Sequence, residues 1–437
     1  MKNNITVSFL TLGCFKNIVD TEVLGGLLEK KGLKIVSQYE PSDWIVINTC
    51  GFIRDAKEES IEEILSALEK KESGGIKHLA VMGCLTERYY NDLKENFKNT
   101  DIIWGVNDID KLAEQIATQS YSEYNKKDLF LYDDSYNRII TTTPNSTFIK
   151  ISEGCNMNCS FCAIPNIRGK FRSRTVTSIL KEAEILQKKG FKEINLISQN
   201  STHFGRDRQN KSELPLLLKE ISKLGLEWVR VLYLMPEEIT DDILDAFLNP
   251  TILPYFDLPF QHISKPVIKA MNRHGNYSKN ISLIKKIREN FNEPVIRSTF
   301  IVGFPGETES DFKELENFAK ESEIERIGTF GFSPEEDTPA FELKDTILPN
   351  IIEERKELIM DISDININKY NNKLKDKTFG FIPQGPCPWD SNKTIGRISS
   401  QAPEVDGLTV IDKKFEDKYD IYPIKITGGE FDTLYGK

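Results

Sequence analysis

Long apolar runs, an excess of positive charge and abundant histidine are all missing from this 437-residue chain. No stretch approaches the ~18 to 20 apolar residues that a membrane span needs, so a transmembrane protein is not expected. Lys and Arg number 57 against 67 Asp and Glu, a formal charge of −10. Such a field repels a phosphate backbone at long range and suits a basic protein partner better than a nucleic acid. Histidine occurs four times, and neither a Ser-His-Asp triad nor a phosphate-binding loop can be picked out. Internal repeats and low-complexity tracts are absent, which excludes a solenoid. A targeting leader is not expected, because Ser8 and Thr11 interrupt the apolar stretch from Ile5 to Phe15 and Lys2 alone charges the segment before it. A reducing cytoplasm is the expected location.

What is present supports a substantial core. Hydrophobic residues make up 39% and charged residues 28%, and the length corresponds to about three folding units. Seven cysteines stand at positions 14, 50, 84, 155, 159, 162 and 387. An odd number in a long acidic chain is a poor disulfide framework, so thiolates available to a metal are the better reading.

The fold class expected is α/β. In residues 1–118, the apolar runs Ile5 to Leu10, Trp44 to Ile47 and Leu79 to Met82 read as strands alternating with amphipathic helices, and so as a parallel sheet. Each strand is followed by a cysteine: Cys14, Cys50 and Cys84. The carboxyl ends of parallel strands share one edge, which makes a three-thiol ligand set plausible there; small buried hydrophobes are the alternative. Residues 119–147 loosen into a polar connection containing Thr141 to Pro144. From 148 to 370 at least six strand-helix units predict a complete or partial (β/α) barrel with its chemistry at the strand carboxyl ends. Residues 372–437 read as a small antiparallel β-barrel, from Phe379 to Ile382, Thr394 to Ile398, Leu408 to Ile411 and Ile421 to Ile426. Its ten basic and ten acidic residues give no RNA-binding signature.

The most specific motif is Gly154-Cys155-Asn156-Met157-Asn158-Cys159-Ser160-Phe161-Cys162, just after the first strand of the central series. Its spacing lets one loop wrap three thiolates around a metal centre. A closed zinc site requires a fourth Cys or His, and His78 and His203 are both distant in sequence. The motif resembles that of the radical S-adenosylmethionine superfamily, in which three cysteines hold a [4Fe-4S] cluster whose fourth iron binds S-adenosylmethionine. Together with Cys14, Cys50 and Cys84 upstream and a small β-domain at the end, the whole chain resembles the methylthiotransferases.

That resemblance implies two [4Fe-4S] clusters, one on Cys155, Cys159 and Cys162 and a second, sulfur-delivering one on Cys14, Cys50 and Cys84. It also implies contacts to S-adenosylmethionine from Phe161, from Gln199 and Asn200 at a strand end, and from Gly303, Gly306 and Glu307 in the turn Gly303-Phe304-Pro305-Gly306-Glu307. Ordinary polar and strand-to-helix turns remain the alternatives for these segments. Leu12 to Asp20, Cys162 to Arg174, Leu258 to Ser264 with its Gln261-His262, and Gln401 to Gly407 resemble the protein-modifying RimO type. Asn200 departs from the Asp often found there.

The activity implied is radical methylthiolation of an aspartyl β-carbon in small-subunit ribosomal protein twelve, met free or on the ribosome, with a TRAM-like last domain recognising substrate and a flavodoxin or ferredoxin as electron donor. The rivals are a methylthiotransferase acting on transfer RNA adenosine and a non-catalytic iron–sulfur carrier or assembly factor. Arg168, Lys170, Arg172 and Arg174 suit phosphate contact, a cofactor carboxylate or internal ion pairs equally. His262 reads as a ligand donor or a structural histidine, and Cys387 as a free thiol.

Overall fold

The computed structural model describes residues 5–38, 40–125, 129–143, 145–415 and 420–437. They form two compact units, Met1–Thr141 with Ser152–Arg174 and Ser333–Phe341, and Thr142–Ile151 with Thr175–Phe332 and Glu342–Lys437. The cut passes through the central series, because the cysteine loop after its first strand packs with the first unit. Among the described residues, no helix is long and apolar enough to cross a membrane.

In the first unit, β1 (Thr6–Thr11), β2 (Lys34–Ile35), β3 (Trp44–Thr49), β4 (His78–Gly83) and β5 (Ile102–Ile103) form a parallel sheet in the order β2-β1-β3-β4-β5. Its strands are runs of Val, Ile and Leu because helices cover them; Val7, Val46, Ile47, Leu79 and Ala80 are fully buried. Helix α1 (Phe15–Lys30) turns Val19, Val23, Leu24 and Leu28 inward. Helix α2 (Arg54–Glu72) buries only Ser60, Ile64 and Ala67 and leaves its Lys/Glu face to solvent. Helices α3 (Cys84–Arg88), α4 (Tyr90–Asn96) and α5 (Ile109–Thr118) follow.

Trp44 and Trp104 are completely buried packing residues. The connection after α5 has no helix or strand among its described residues, and residues 126–128 and Pro144 lie outside them. It is nonetheless anchored at points: Tyr132 and Arg138 are 1% and 8% exposed, and the Ile139 N–H donates to the Glu22 carbonyl on α1.

In the second unit, β6 (Ser146–Lys150) belongs to a parallel sheet; β7 (Ser152–Glu153) and β8 (Arg172–Ser173) are a short antiparallel pair of the first unit. Then come β9 (Glu193–Ile197), β10 (Trp228–Val231), β11 (Tyr255–Asp257), β12 (Val295–Val302) and β13 (Arg326–Gly331). The partial barrel expected from sequence is two three-stranded parallel sheets, β10-β9-β6 and β11-β12-β13, linked by a bridge between Val229 and Ile252. Among the described residues no ladder joins β13 back to β6.

After the helix Pro349–Leu374, strands β14 (Thr378–Cys387), β15 (Asp390–Ile398), β16 (Leu408–Ile411), β17 (Tyr422–Glu430) and β18 (Thr433–Gly436) close a barrel in the order β14-β15-β16-β18-β17. The barrel is mixed rather than antiparallel, a correction to the sequence expectation. Strand β18 hairpins back from β17 and runs parallel to β16, which satisfies an edge that four antiparallel strands would leave open. Buried ion pairs tie this barrel to the parallel sheet: Glu193 on β9 meets Arg230 at 3.0 Å and Arg397 of β15 at 2.6 Å. Burial opposes the charge on Glu193, but Arg397 and Arg230 outweigh it and hold the carboxyl at about 2.

Candidate functional site

The first set of thiols lies at the carboxyl edge of the first unit's sheet. The β3-β4 register puts Thr49 opposite Gly83, so Cys50 and Cys84 leave neighbouring strands at one level. Cys14 precedes the first turn of α1, with the Asn17 N–H on its carbonyl at 2.9 Å. The Asn17 amide donates to the carbonyls of Leu12 and Thr49 at 2.8 and 3.1 Å, which fixes the ends of β1 and β3 together. Ser60 of α2 accepts from the Cys50 N–H and donates to the Cys50 carbonyl, both at 3.0 Å. A Cβ on Gly13 would come 2.9 Å from the Cys50 sulfur, so Gly13 is what allows the Cys14 and Cys50 segments to close up.

All three thiols are free; Cys14 and Cys50 are half-buried and Cys84 is buried. Burial pushes the Cys84 thiol up to about 12, with Arg168 pulling the other way. Burial raises Cys50 as well.

The second set lies in the loop between β7 and β8, whose pairing of Ser152 with Ser173 and Glu153 with Arg172 clamps its base. Gly154 has φ +77°, and a Cβ there would sit 2.3 Å from the Lys170 carbonyl oxygen. The Cys155 N–H donates to Gly169, the Cys162 N–H to Cys159, and the Phe171 N–H to the Asn156 side chain, at 3.1, 3.1 and 2.9 Å. The Met157 N–H donates to the Cys155 sulfur at 3.4 Å. Cys155, Cys159, Cys162 and Phe161 are half-buried.

Among the described residues no three His, Cys, Asp or Glu side chains converge on a point that one metal ion would fill. A four-iron cluster asks for a different arrangement, since each thiolate binds a separate iron. None of the six cysteines is in a disulfide; Cys14, Cys50 and Cys84 stand at the ends of braced segments and Cys155, Cys159 and Cys162 share one clamped loop, so their thiolates are available as separate ligands.

Three of the four basic residues after Cys162 have internal partners. Arg168 is 2% exposed and donates to Asp20 at 2.6 Å, Glu153 at 3.2 Å, Asn17 at 2.6 Å and the Cys84 sulfur at 3.3 Å. Arg172 donates to the carbonyl oxygens of Phe130 and Arg168, and the Arg174 guanidinium stacks 4.4 Å from the Tyr132 ring. Lys170 alone is exposed, which leaves no basic strip for phosphates. Asn17 and Asp20 belong to the Leu12 to Asp20 motif, but their contacts, and Glu153 and the Ser60 brace, were not singled out from sequence. Asn17 and Asp20 stand three residues apart on α1 and so share a helical face just after Cys14, and that spacing was the available signal.

In the second unit, Gln199 and Asn200 follow β9. The Asn200 amide is buried and committed, donating to Glu238 at 2.9 Å and accepting from the His203 N–H at 3.2 Å. Gly303 and Gly306 both have positive φ, and the Glu307 carboxylate turns inward beneath them. It accepts from the N–H groups of Gly303 and Phe304 at 2.6 and 3.1 Å and pairs with Arg355 at 2.8 Å. Burial pushes Glu307 up to about 7 against these donors. Its visible task is to shape the turn that exposes Gly306. His262 is fully buried, its Nδ1 accepts from the Ser264 N–H at 3.0 Å, its Nε2 lies 3.9 Å from the Glu307 carboxylate, and burial holds it down at about 4. Cys387 is buried and free in β14.

Comparisons with known proteins agree with this layout. Residues 149–319 match the Radical SAM superfamily, and residues 6–105 match an uncharacterized protein family, UPF0004. The ribosomal protein uS12 methylthiotransferase RimO of Syntrophomonas wolfei is 40% identical over 431 residues, 97% of this chain and 98% of that one. Its counterpart in Geobacter sulfurreducens is 38% identical over 437 residues, 99% and 98% of the two chains. Among solved structures, the radical S-adenosylmethionine methyltransferase TsrM of Kitasatospora setae, with cobalamin and a [4Fe-4S] cluster bound, shares the fold at a TM-score of 0.55 and 13% identity. The match covers 77% of this chain and 76% of that one.

Proposed function

Since the chain belongs to the ribosomal protein uS12 methylthiotransferase (RimO) family, we propose that it modifies an aspartyl side chain of that protein through two thiol-held clusters. Its reaction class is radical S-adenosylmethionine methylthiotransfer to a ribosomal protein. The observation that carries the finer reading is the placement of Cys14, Cys50 and Cys84 at braced segment ends at the sheet's carboxyl edge and of Cys155, Cys159 and Cys162 in one clamped loop. Cys155, Cys159 and Cys162 would hold one cluster, and Cys14, Cys50 and Cys84 the other. When bound, the clusters and S-adenosylmethionine supply one-electron chemistry, a sulfur and a methyl group, which a C–H bond beyond the reach of acid–base catalysis requires.

The chain's own residues brace and shield. The β7-β8 clamp and the Gly169 carbonyl hold the Cys155 segment, and Ser60 and Asn17 hold the strand ends bearing the other thiols. Glu307 fixes the backbone of the Gly303 to Gly306 turn, which would face the cofactor. A charge of −10 and the internal pairing of Arg168, Arg172 and Arg174 support a basic protein as substrate rather than RNA. A flavodoxin- or ferredoxin-type donor would supply electrons, and the substrate would be met free or on the ribosome.

The test is an anaerobic reaction offering the ribosomal protein and transfer RNA together, read by mass spectrometry. The expected result is a methylthio group on an aspartyl residue of the protein. A methylthio group on the RNA alone would overturn the substrate assignment.

A further inference from the structure

We propose that Arg168 is a positioning residue for the Cys14, Cys50 and Cys84 site and sets the reduction potential of the cluster held there; this rests on the reading that those thiols hold a cluster. By chain position Arg168 belongs to the other set, at the end of helix α6 (Ile164–Arg168), six residues past Cys162. Its side chain nonetheless reaches the first set. One terminal nitrogen donates to Asp20 and Glu153, at 2.6 and 3.2 Å. The other lies 2.6 Å from the Asn17 oxygen and 3.3 Å from the Cys84 sulfur.

A guanidinium stays charged at any working pH, and burying one is unfavourable unless its donors are matched. Asp20, Glu153 and Asn17 accept three of its donated bonds, and the fourth contact is aimed at the Cys84 sulfur. An N–H donated to a ligand sulfur, with a fixed positive charge behind it, favours the more negative, reduced form of the bound group. Asn17 orients the fork, since its oxygen accepts from the same nitrogen while its amide pins the ends of β1 and β3. The residue thus gives the radical loop a direct electrostatic hold on the sulfur-delivering site.

The test uses the full-length chain with Cys155, Cys159 and Cys162 replaced by alanine, reconstituted anaerobically, so that only the first site contributes to a redox titration followed by electron paramagnetic resonance. Arg168→Gln is expected to shift the reduction equilibrium about tenfold toward the oxidised form, about 59 mV for one electron. Arg168→Lys, which keeps the charge and loses the fork, falls between. Asp20→Asn is expected to shift it the opposite way. Potentials unchanged in both Arg168→Gln and Asp20→Asn, at equal iron content, overturn the inference. If Arg168→Gln retains no iron, Asp20→Asn decides: a positive shift supports the inference, and no shift or a negative one overturns it. A parent chain that binds no iron overturns the three-thiol site itself, and the inference with it.

Discussion

Replacing Cys50 by alanine is expected to abolish methylthio transfer while deoxyadenosine formation from S-adenosylmethionine continues near the wild-type rate. Cys50 leaves β3 beside Cys84 and is braced by Ser60. The loop of Cys155, Cys159 and Cys162 is held by other groups: the β7-β8 ladder, the Gly169 carbonyl and the Asn156 to Phe171 contact. None of these passes through Cys50, so removing its sulfur leaves the loop of Cys155, Cys159 and Cys162 intact. Loss of a group that only orients a ligand costs metal sites ~10 to 100-fold, and loss of a ligand itself should exceed that. The measurement is a paired assay of one reaction, chromatography for deoxyadenosine and mass spectrometry for the methylthio product, with more than ~100-fold loss expected in the second alone. Equal losses of both products would show that the two sets do not act separately.

Gly51→Ala is expected to do comparable damage without touching a thiol. A Cβ at Gly51 would lie 2.6 Å from both the Cα and the N of Leu85 and 2.8 Å from the Cys84 carbonyl carbon. These are backbone atoms, so no rotamer change relieves the clash and α3, which begins at Cys84, has to move. Arg88 on the same helix donates to the Gly51 carbonyl at 2.8 Å and ties the two segments tightly. Overpacking of this kind costs ~1 to 3 kcal/mol, and the displacement of Cys84 should empty the first site of iron. Gly74→Ala is the contrast. Gly74 has φ +79° with nothing within 4 Å of a Cβ, so only backbone strain of about 1 to 2 kcal/mol is expected, with iron content unchanged. Thermal unfolding together with iron analysis separates the two substitutions; full iron content in Gly51→Ala would contradict the packing argument.

The parallel sheet of the first unit was legible because its strands are continuous runs such as Trp44 to Ile47, buried on both faces. The cysteine spacing was equally plain. Partnerships across long sequence separations were hidden, since nothing in the run Cys162 to Arg174 says that one arginine of four turns inward to Cys84, Asp20 and Asn17 while Lys170 faces out. Strand direction was hidden too: alternation in Leu408 to Ile411 marks a strand but not that β18 runs parallel to it. The polar composition of the connection after α5 concealed Tyr132 and Arg138, which are buried through the surface they find on the first unit. Glu307 was legible as part of a turn motif, but its inward use by the Gly303 and Phe304 N–H groups depends on the positive φ at Gly303.

The division of the six thiols into two independent sets is tested most directly by iron and sulfide analysis, with Mössbauer spectroscopy, on three anaerobically reconstituted proteins. These are the wild type, the variant with Cys14, Cys50 and Cys84 replaced by alanine, and the variant with Cys155, Cys159 and Cys162 replaced by alanine. Each variant should retain about half the wild-type iron, as one four-iron cluster. Loss of all iron in either variant, or wild-type iron in both, would contradict two separate three-thiol sites.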